Sequence, residues 1–286
     1  MNLRQAQDAA VSAAISAGSL IRKNLHSVKK VNSETSHDIK LELDVRCQDL
    51  IEKKLHRAFP AIAFLGEEGS SGAADSEMRW VVDPIDGTVN FARGIPHASV
   101  SIALQVRDSD RVWDAKPAGA GSNRRKLHTP APRASHLSPL TSTVVGVVYD
   151  PFTDELWTAM RGQPARLNGR VIHVSRIRTL AKCIASIGFA KNRSNLHRAL
   201  PYFLWLSRRV RKIRMMGSAA LALTYVASGR YDAYVERGIS LWDIAAGGLI
   251  LECAGGRFWF EPTPGKHKYR MIASNGLVHG KLPLPK

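Results

Sequence analysis

Apolar and polar positions change period several times along the chain, and each change marks an element. Over the first 25 residues Leu3, Ala6, Ala10, Ala13, Ala17, Leu20 and Ile21 recur at helical spacing and predict an amphipathic helix. Residues 34–59 open with polar turn residues and then predict a second helix, with Val45, Leu50, Ile51, Leu55 and Phe59 on one face. Asp44 stands where a helix N-cap belongs. Residues 61–65 predict a short buried strand, followed by Glu67, Glu68 and a Gly/Ser loop. Trp80, Val81 and Val82 predict a strand running into Asp83. It breaks there, because Pro84 cannot donate to a ladder and Gly87 permits a left-handed turn.

Residues 97–106 read as another buried strand, after which no apolar period survives from about 107 to 143. Periodicity returns at 144–151, and Asn168-Gly169 between apolar alternations predicts a hairpin. A strand at 183–190 precedes a helix at 196–210 with Leu200, Phe203, Leu204 and Leu206 on its apolar face. Ser218 and Gly229 bracket an Ala/Leu-rich helix as N-cap and C′. A strand at 231–236, a helix from Trp242-Asp243 to Gly255, and the strands RFWFE and YRMIASN complete the chain. Strands and helices alternate in blocks without an internal repeat, which predicts an α/β or layered α+β architecture.

Composition narrows this reading only in places. A length of 286 residues suits one large domain or two closely packed halves. No run of about 18 apolar residues exists, so no membrane span and no membrane partner is expected. The Ala-rich start, with Asp8 ahead of any apolar run, reads as a helix and not a signal peptide. Cys47, Cys183 and Cys253 are few and far apart, with neither zinc nor disulfide spacing, which points to a reducing, cytoplasmic setting. The net charge of +17 suits steering of phosphorylated substrates. No nucleic-acid-binding signature accompanies it, so weak nonspecific polyanion binding is expected and no specific nucleic acid. The aperiodic stretch holds seven Lys/Arg and three Asp, so removing its +4 still leaves +13. It reads as a disordered, dispensable insertion at about 108–143 within a single domain covering 1–286. The run Arg208, Arg209, Arg211, Lys212 and Arg214 reads as a solvated face.

Acids at strand ends and helix starts (Asp44, Glu67, Glu68, Asp83, Asp86, Asp243) carry the candidate chemistry. If they converge, their mutual repulsion raises their pKa values unless a cation intervenes. An all-oxygen set without nearby His or Cys suits Mg²⁺, and such ions can clamp a phosphate ester and activate water.

The order GEE, WVVDPIDGTVNF, GSAAL, WDIAAG resembles the inositol monophosphatase family of Mg²⁺-dependent, lithium-sensitive phosphatases, over nearly the whole chain apart from the insertion. The resemblance implies a layered αβαβα sandwich of the sugar-phosphatase type, a homodimer, and two or three Mg²⁺ per subunit. It implies that Glu67, Asp83 and the Ile85 carbonyl hold one metal, that Asp83, Asp86 and Asp243 hold a second, and that Glu67 reaches a third through water. Thr88, paired with Asp44, would orient or deprotonate the attacking water. The Gly87 and Thr88 backbone N–H groups would hold the phosphate. Asp86, Ala219, Glu236 and Asp243 would contact the alcohol, with Glu68 behind them. Val89 replaces a frequent second threonine, and Ser33 stands where the family usually has lysine, with Lys40 nearby.

The function so implied is hydrolysis of a small phosphate monoester, with myo-inositol monophosphate leading. Alternatives on the same scaffold are 3′(2′),5′-bisphosphate nucleotidase, histidinol-phosphatase and fructose-1,6-bisphosphatase activity. A non-catalytic basic polyanion-binding protein is the rival from another class. Glu236 favours a polyol, since a carboxylate accepts hydroxyl protons and repels a second phosphate.

Overall fold

The computed structural model describes residues 1–34, 39–73, 75–107, 141–188 and 193–285. Helix α1 (Leu3–Lys23) starts where the Asn2 side chain accepts the N–H groups of Arg4 and Gln5. Its buried face is built from small residues: Ala6, Ala10, Ala13, Ala14, Ala17 and Gly18. A Cβ at Gly18 would lie 2.5 Å from the Tyr149 ring, so the helix can settle this close to the strands only with glycine there. A short hairpin, β1 (Val31–Glu34) and β2 (Ile39–Leu41), occupies part of the expected polar turn. Helix α2 (Glu42–Ala58) follows. Its buried face is Leu43, Cys47, Ile51 and Leu55, an unbroken i, i+4 stripe, whereas the expected Val45 is exposed and Leu50 only half-buried. The face is thus rotated from the sequence expectation. Both stripes contain Ile51 and Leu55, and packing selects the one that includes Cys47.

The first sheet is built from β3 (Ala63–Gly66), β4 (Ser70–Ser71), β5 (Met78–Asp86), β6 (Ser99–Arg107), β7 (Thr141–Asp150), β8 (Glu155–Met160), β9 (Arg166–Leu167) and β10 (Arg170–Val171). Their spatial order is β10-β9-β8-β7-β6-β5-β3-β4. A short helix, α3 (Thr88–Ala92), leaves the end of β5. Asn168 and Gly169 both take positive φ (48° and 79°) in the predicted two-residue turn. The second sheet contains β11 (Ile184–Ile187), β12 (Lys212–Arg214), β13 (Ala233–Ser240), β14 (Arg257–Pro262) and β15 (Lys268–Ser274), ordered β12-β11-β13-β15-β14. Helices α4 (Arg193–Ser207), α5 (Ala219–Ala227) and α6 (Leu241–Cys253) belong to this half.

Alternation along the strands fixes the layers. Trp80, Val82, Ile102, Leu104, Val145 and Val147 pack with α1 and α2. Their neighbours Val81, Ala103, Val148 and Trp157 face the other way, onto α5 and α6. Tyr234, Met271 and Ala273 close that middle layer from the second sheet. Ala233, Val235 and Ile272 turn outward to Tyr202 and Leu206 of α4. The result is the five-layer αβαβα sandwich that the resemblance implies. On α4 the buried residues are Tyr202 and Leu206, while the expected Leu200 and Leu204 are exposed. The basic stretch after α4 lies exposed along β12, an edge strand, where charge discourages pairing with another sheet.

The insertion expected at about 108–143 falls, for 108–140, outside the described residues. Its expected borders are corrected by the structure: Arg107 ends β6, 141–143 begin β7, and Arg107 lies directly opposite Thr141. The β-branched Thr141 and Thr143 extend the strand beyond the apolar run that the sequence reading followed.

Candidate active site

The site grows from the end of β5. Trp80, Val81 and Val82 are fully buried because helices cover both sheet faces. Beyond them the strand does not break at Pro84, as its sequence suggests, but runs on to Asp86 through a bulge. Asp83 pairs with Ser101 and Asp86 with Ser99, so two intervening residues oppose one. Pro84, which lacks an N–H, is tolerated inside this irregularity. The bulge has a chemical consequence. In a regular strand residues three apart face opposite sides, whereas the extra residue lets Asp83 and Asp86 line the same cavity. Asp83 Oδ1 accepts the Ile85 N–H at 3.0 Å, which holds the bulge in shape. Gly87 then turns with φ 98°, and a Cβ there would meet the His97 carbonyl oxygen at 2.9 Å. Only glycine fits on both counts.

A cavity of about 290 Å³ opens beyond this turn. Glu67 reaches it from the loop after β3, Asp83, Ile85, Asp86, Gly87 and Thr88 from the bulged strand, Ala219 from the start of α5, Glu236 from β13, and Asp243 from the first turn of α6. Every predicted metal and substrate residue therefore lines one space. Asp44 does not line it but sits directly behind, with Thr88 Oγ1 3.4 Å from Asp44 Oδ1. The Thr88 hydroxyl lies closer to the Ile85 carbonyl, at 2.8 Å, and its single proton is directed there. Glu68 stays off the cavity wall and pairs with Lys40 at 3.0 Å.

Two of the acids share a local device. Asp44 occupies the third position of α2, not its N-cap, and its Oδ2 accepts the Leu41 N–H at 2.6 Å. Asp243 does the same in α6, accepting the Ser240 N–H at 2.8 Å. Each spends an oxygen on fixing a helix start, which sets the carboxylate's direction. Asp86 holds a third helix: it accepts the Ser218 hydroxyl and the N–H groups of Ala219 (3.1 Å) and Ala220 (2.8 Å) at the start of α5. The Ala219 N–H expected to contact substrate is thus donated to Asp86. Glu236 accepts from the Tyr234 hydroxyl. Gly188 leaves space for it, since a Cβ there would lie 1.7 Å from Glu236 Oε2.

Electrostatics follow from burial and crowding. Burial, then Glu67, Asp86 and Asp243, raise the Asp83 carboxyl well above the usual range. Burial, reinforced by Asp86, pushes Asp243 up to about 7. Asp44 also rises to about 7, through burial, with Glu67 and Glu68 adding to it against the opposing Leu41 hydrogen bond. Asp86 is raised by burial, against its three bonds to the start of α5. None of the described residues lining the cavity is Lys, Arg or His. The donor set is therefore carboxylate, carbonyl and hydroxyl oxygen with uncompensated negative charge, which fits a hard divalent cation. Among the described residues no three Asp, Glu, His or Cys side chains stand close enough together to hold a metal ion as placed.

Three contributors were not assigned to the site from the sequence. Asn90 Nδ2 donates to the His97 carbonyl at 2.9 Å and to the Met216 carbonyl at 2.7 Å, tying α3 to the loop before α5. Ser218 is the predicted cap, accepting the Leu221 N–H, but it also holds Asp86. Tyr234 steadies Glu236 from two positions earlier on the same strand face. Met216 is 126 residues from Asn90 and Asp86 is 132 from Ser218, so no spacing rule could have found those two bonds. The i, i+2 relation of Tyr234 and Glu236 is the one signal that was there to read.

The sequence pattern of the "Inositol monophosphatase family" matches residues 2–111 and 141–278. Inositol monophosphatase 1 of Solanum lycopersicum is 36% identical over 264 residues, covering 89% of this chain and 83% of that protein. The Nus factor SuhB of Pasteurella multocida is 34% identical over 254 residues, covering 86% and 82% respectively. Among solved structures, the extragenic suppressor protein suhB of Bartonella henselae superposes with a TM-score of 0.79 at 31% identity, covering 96% of this chain and 95% of that one. The inositol monophosphatase of Anabaena gives a TM-score of 0.75 at 32% identity, covering 99% and 95%. No helix among the described residues is long and apolar enough to cross a membrane.

Proposed function

The chain belongs to the inositol monophosphatase family of metal-dependent phosphatases, and from that premise we propose Mg²⁺-dependent hydrolysis of a small phosphate monoester, with myo-inositol monophosphate as the reference substrate. The observation that carries the proposal is the gathering of Glu67, Asp83, Asp86 and Asp243, from three separate parts of the chain, around one cavity without a basic residue on its described wall. Such a wall repels a phosphate dianion unless cations stand between them.

Glu67, Asp83, Asp86, Asp243 and the Ile85 carbonyl would hold two or three Mg²⁺. When bound, the metal supplies positive charge to the phosphate oxygens and acidity to a water molecule. The chain's own groups do the rest. Thr88 Oγ1, with Asp44 Oδ1 3.4 Å behind it, would orient or deprotonate the attacking water. Glu67, which also lines the cavity, would share this task. The Gly87 and Thr88 backbone N–H groups hold the phosphate, and Glu236 and Asp243 accept protons from hydroxyls of the alcohol. We propose the same homodimer and cytoplasmic setting that the sequence suggests.

The test is a phosphate-release screen over myo-inositol monophosphate, adenosine 3′,5′-bisphosphate, histidinol phosphate and fructose 1,6-bisphosphate, with Mg²⁺ or with EDTA. Release that requires Mg²⁺ is the expected result. A folded protein that releases phosphate from none of them overturns the proposal.

A further inference from the structure

The acid cluster has no basic residue on its described wall, but Lys40 stands immediately outside it. This residue of β2 reaches from the β1-β2 hairpin to Glu68, with its Nζ 3.0 Å from Glu68 Oε2. Directly opposite it on β1 is Ser33, where the family usually has lysine, so the hairpin presents an ammonium at the same register from its other strand. The Glu68 side chain is only 10% exposed, and a carboxylate so far from water calls for an opposite charge.

The pair belongs to a set of bonds around the loop that carries Glu67 to the cavity. Gly66 donates its N–H to the Gly69 carbonyl at 2.8 Å, and Glu67 donates its own to the Val82 carbonyl at 3.1 Å. Glu68 donates its N–H to Oε1 of the buried Gln48 at 2.9 Å. Gln48 lies one turn beyond Asp44 in α2, and Gly66 leaves room for it, since a Cβ there would lie 2.0 Å from Gln48 Oε1. These bonds hold the backbone of the loop, and Lys40 holds the Glu68 side chain. Glu67 and Glu68 both stand close enough to Asp44 to repel its charge, so an untethered Glu68 would disturb the carboxylates beside it.

Charge acting through space gives Lys40 the wrong sign for a direct role. A fixed ammonium beside a cavity for divalent cations repels them, and on that ground alone its removal would tighten their binding. A benefit to the site has to come through what Lys40 holds.

We propose that Lys40 is a positioning residue for the metal site: by pairing with Glu68 it fixes the loop from which Glu67 turns into the cavity. The inference rests on the metal dependence proposed above, and it gives a role to the place where this chain departs from the family pattern.

The test measures the Mg²⁺ Kd of the full chain by calorimetry, together with kcat for myo-inositol monophosphate at saturating Mg²⁺. Lys40→Met and Lys40→Gln should raise Kd about tenfold and leave kcat within about twofold, as expected of a residue that supports a metal ligand without touching the substrate. Their Tm in EDTA should stay close to that of the parent, since a half-exposed ion pair contributes little to stability. Lys40→Arg should restore the parental Kd, because it keeps the charged bond to Glu68. Lys30→Met is the charge-matched control: Lys30 flanks the same hairpin, but its ion pair, at 3.3 Å, is with Glu42 of α2. Its Kd should not rise. In a Glu68→Ala background, Lys40→Met should change Kd by less than about twofold, because its effect passes through Glu68. The proposal is overturned by a Kd in Lys40→Met and Lys40→Gln at or below the parental value, by a rise that Lys30→Met matches, by no rescue with arginine, or by a full effect in the absence of Glu68. A parent that binds no Mg²⁺ overturns the metal reading and this proposal with it. A parent that binds Mg²⁺ but hydrolyses no ester overturns the hydrolysis reading alone, and the Kd values still decide the role of Lys40.

Discussion

Replacing Asp44 by Asn isolates the electrostatic cost of the site, because Asp44 is buried, off the cavity wall and bonded to both α2 and Thr88. Its carboxyl rises from 3.8 to about 7, first through burial. At 1.36 kcal/mol per pH unit this is of order 4 kcal/mol of lost stability once the group is fully ionised. The sign follows from the raised value. Below about pH 4 the group is protonated in folded and unfolded chains alike, and the cost is absent. As pH climbs toward 7 the unfolded chain ionises freely while the folded one resists, so stability falls, and above 7 the loss is complete. Asn keeps an oxygen for the Leu41 N–H but cannot ionise. In EDTA, the Tm of Asp44→Asn relative to the parent should therefore improve between pH 5 and pH 8. The gain is about 2–3 kcal/mol, or about 3–5 °C for a chain of this size. Thermal melts of both proteins at the two pH values give the answer directly. A gap that stays constant between pH 5 and pH 8 would refute the reading of Asp44 as a carboxyl held uncharged by its surroundings.

Asp83→Asn should abolish Mg²⁺-dependent phosphate release while keeping Tm in EDTA at or above the parent value, since it removes a buried, repelled charge; unchanged turnover would remove Asp83 from the metal set. Gly87→Ala should cost about 1–2 kcal/mol from its left-handed backbone alone, and more from the contact with the His97 carbonyl. A variant of parental Tm and activity would contradict that geometry. Replacing 108–140 by Asn-Gly should leave kcat and KM within about twofold, because Arg107 and Thr141 already face each other as a two-residue hairpin requires. The replaced segment also joins β6 eight residues from Ser99, about 27 Å along the strand from the site end. A clear loss of activity in folded protein would show that the segment contributes to function.

The sequence made the element order and the acids legible for different reasons. The buried apolar runs of β5 to β7 and the Asn-Gly turn are local properties of the chain, and the structure agrees with them. The family motifs located Asp83, Asp86, Thr88 and Asp243, and the cavity unites them. What escaped was decided by tertiary packing. The apolar face of α2 could be drawn through Val45 or through Leu43 and Cys47, and only the sheet beneath it chooses. The apparent stop at Pro84 became a bulge because β6 continues alongside and pairs on both sides of it. Asp44 looked like an N-cap and Asp243 like the opening of a helix, because a carboxylate in the first helical turn is favourable at several positions. Their actual place, at the third residue, lets one oxygen cap while the rest of the group serves the site.

That dual use ties the site to the fold. Asp86, Asp44 and Asp243 each anchor the start of a helix, so none can swing away to escape its neighbours. The repulsion among the acids is therefore carried by the folded state itself and appears as raised pKa values. A divalent cation that replaces repulsion with attraction lowers those values and stabilises the fold by linkage. Metal affinity and the stabilisation that the metal confers should then rise together with pH, since deprotonation strengthens the site for the ion and weakens the metal-free protein. It follows that the increase in Tm on adding Mg²⁺ should be larger at pH 8 than at pH 5, and smaller for Asp83→Asn at both. An increase that is the same at both pH values, or the same in the variant, would mean that the helix-anchoring acids are structural caps and nothing more.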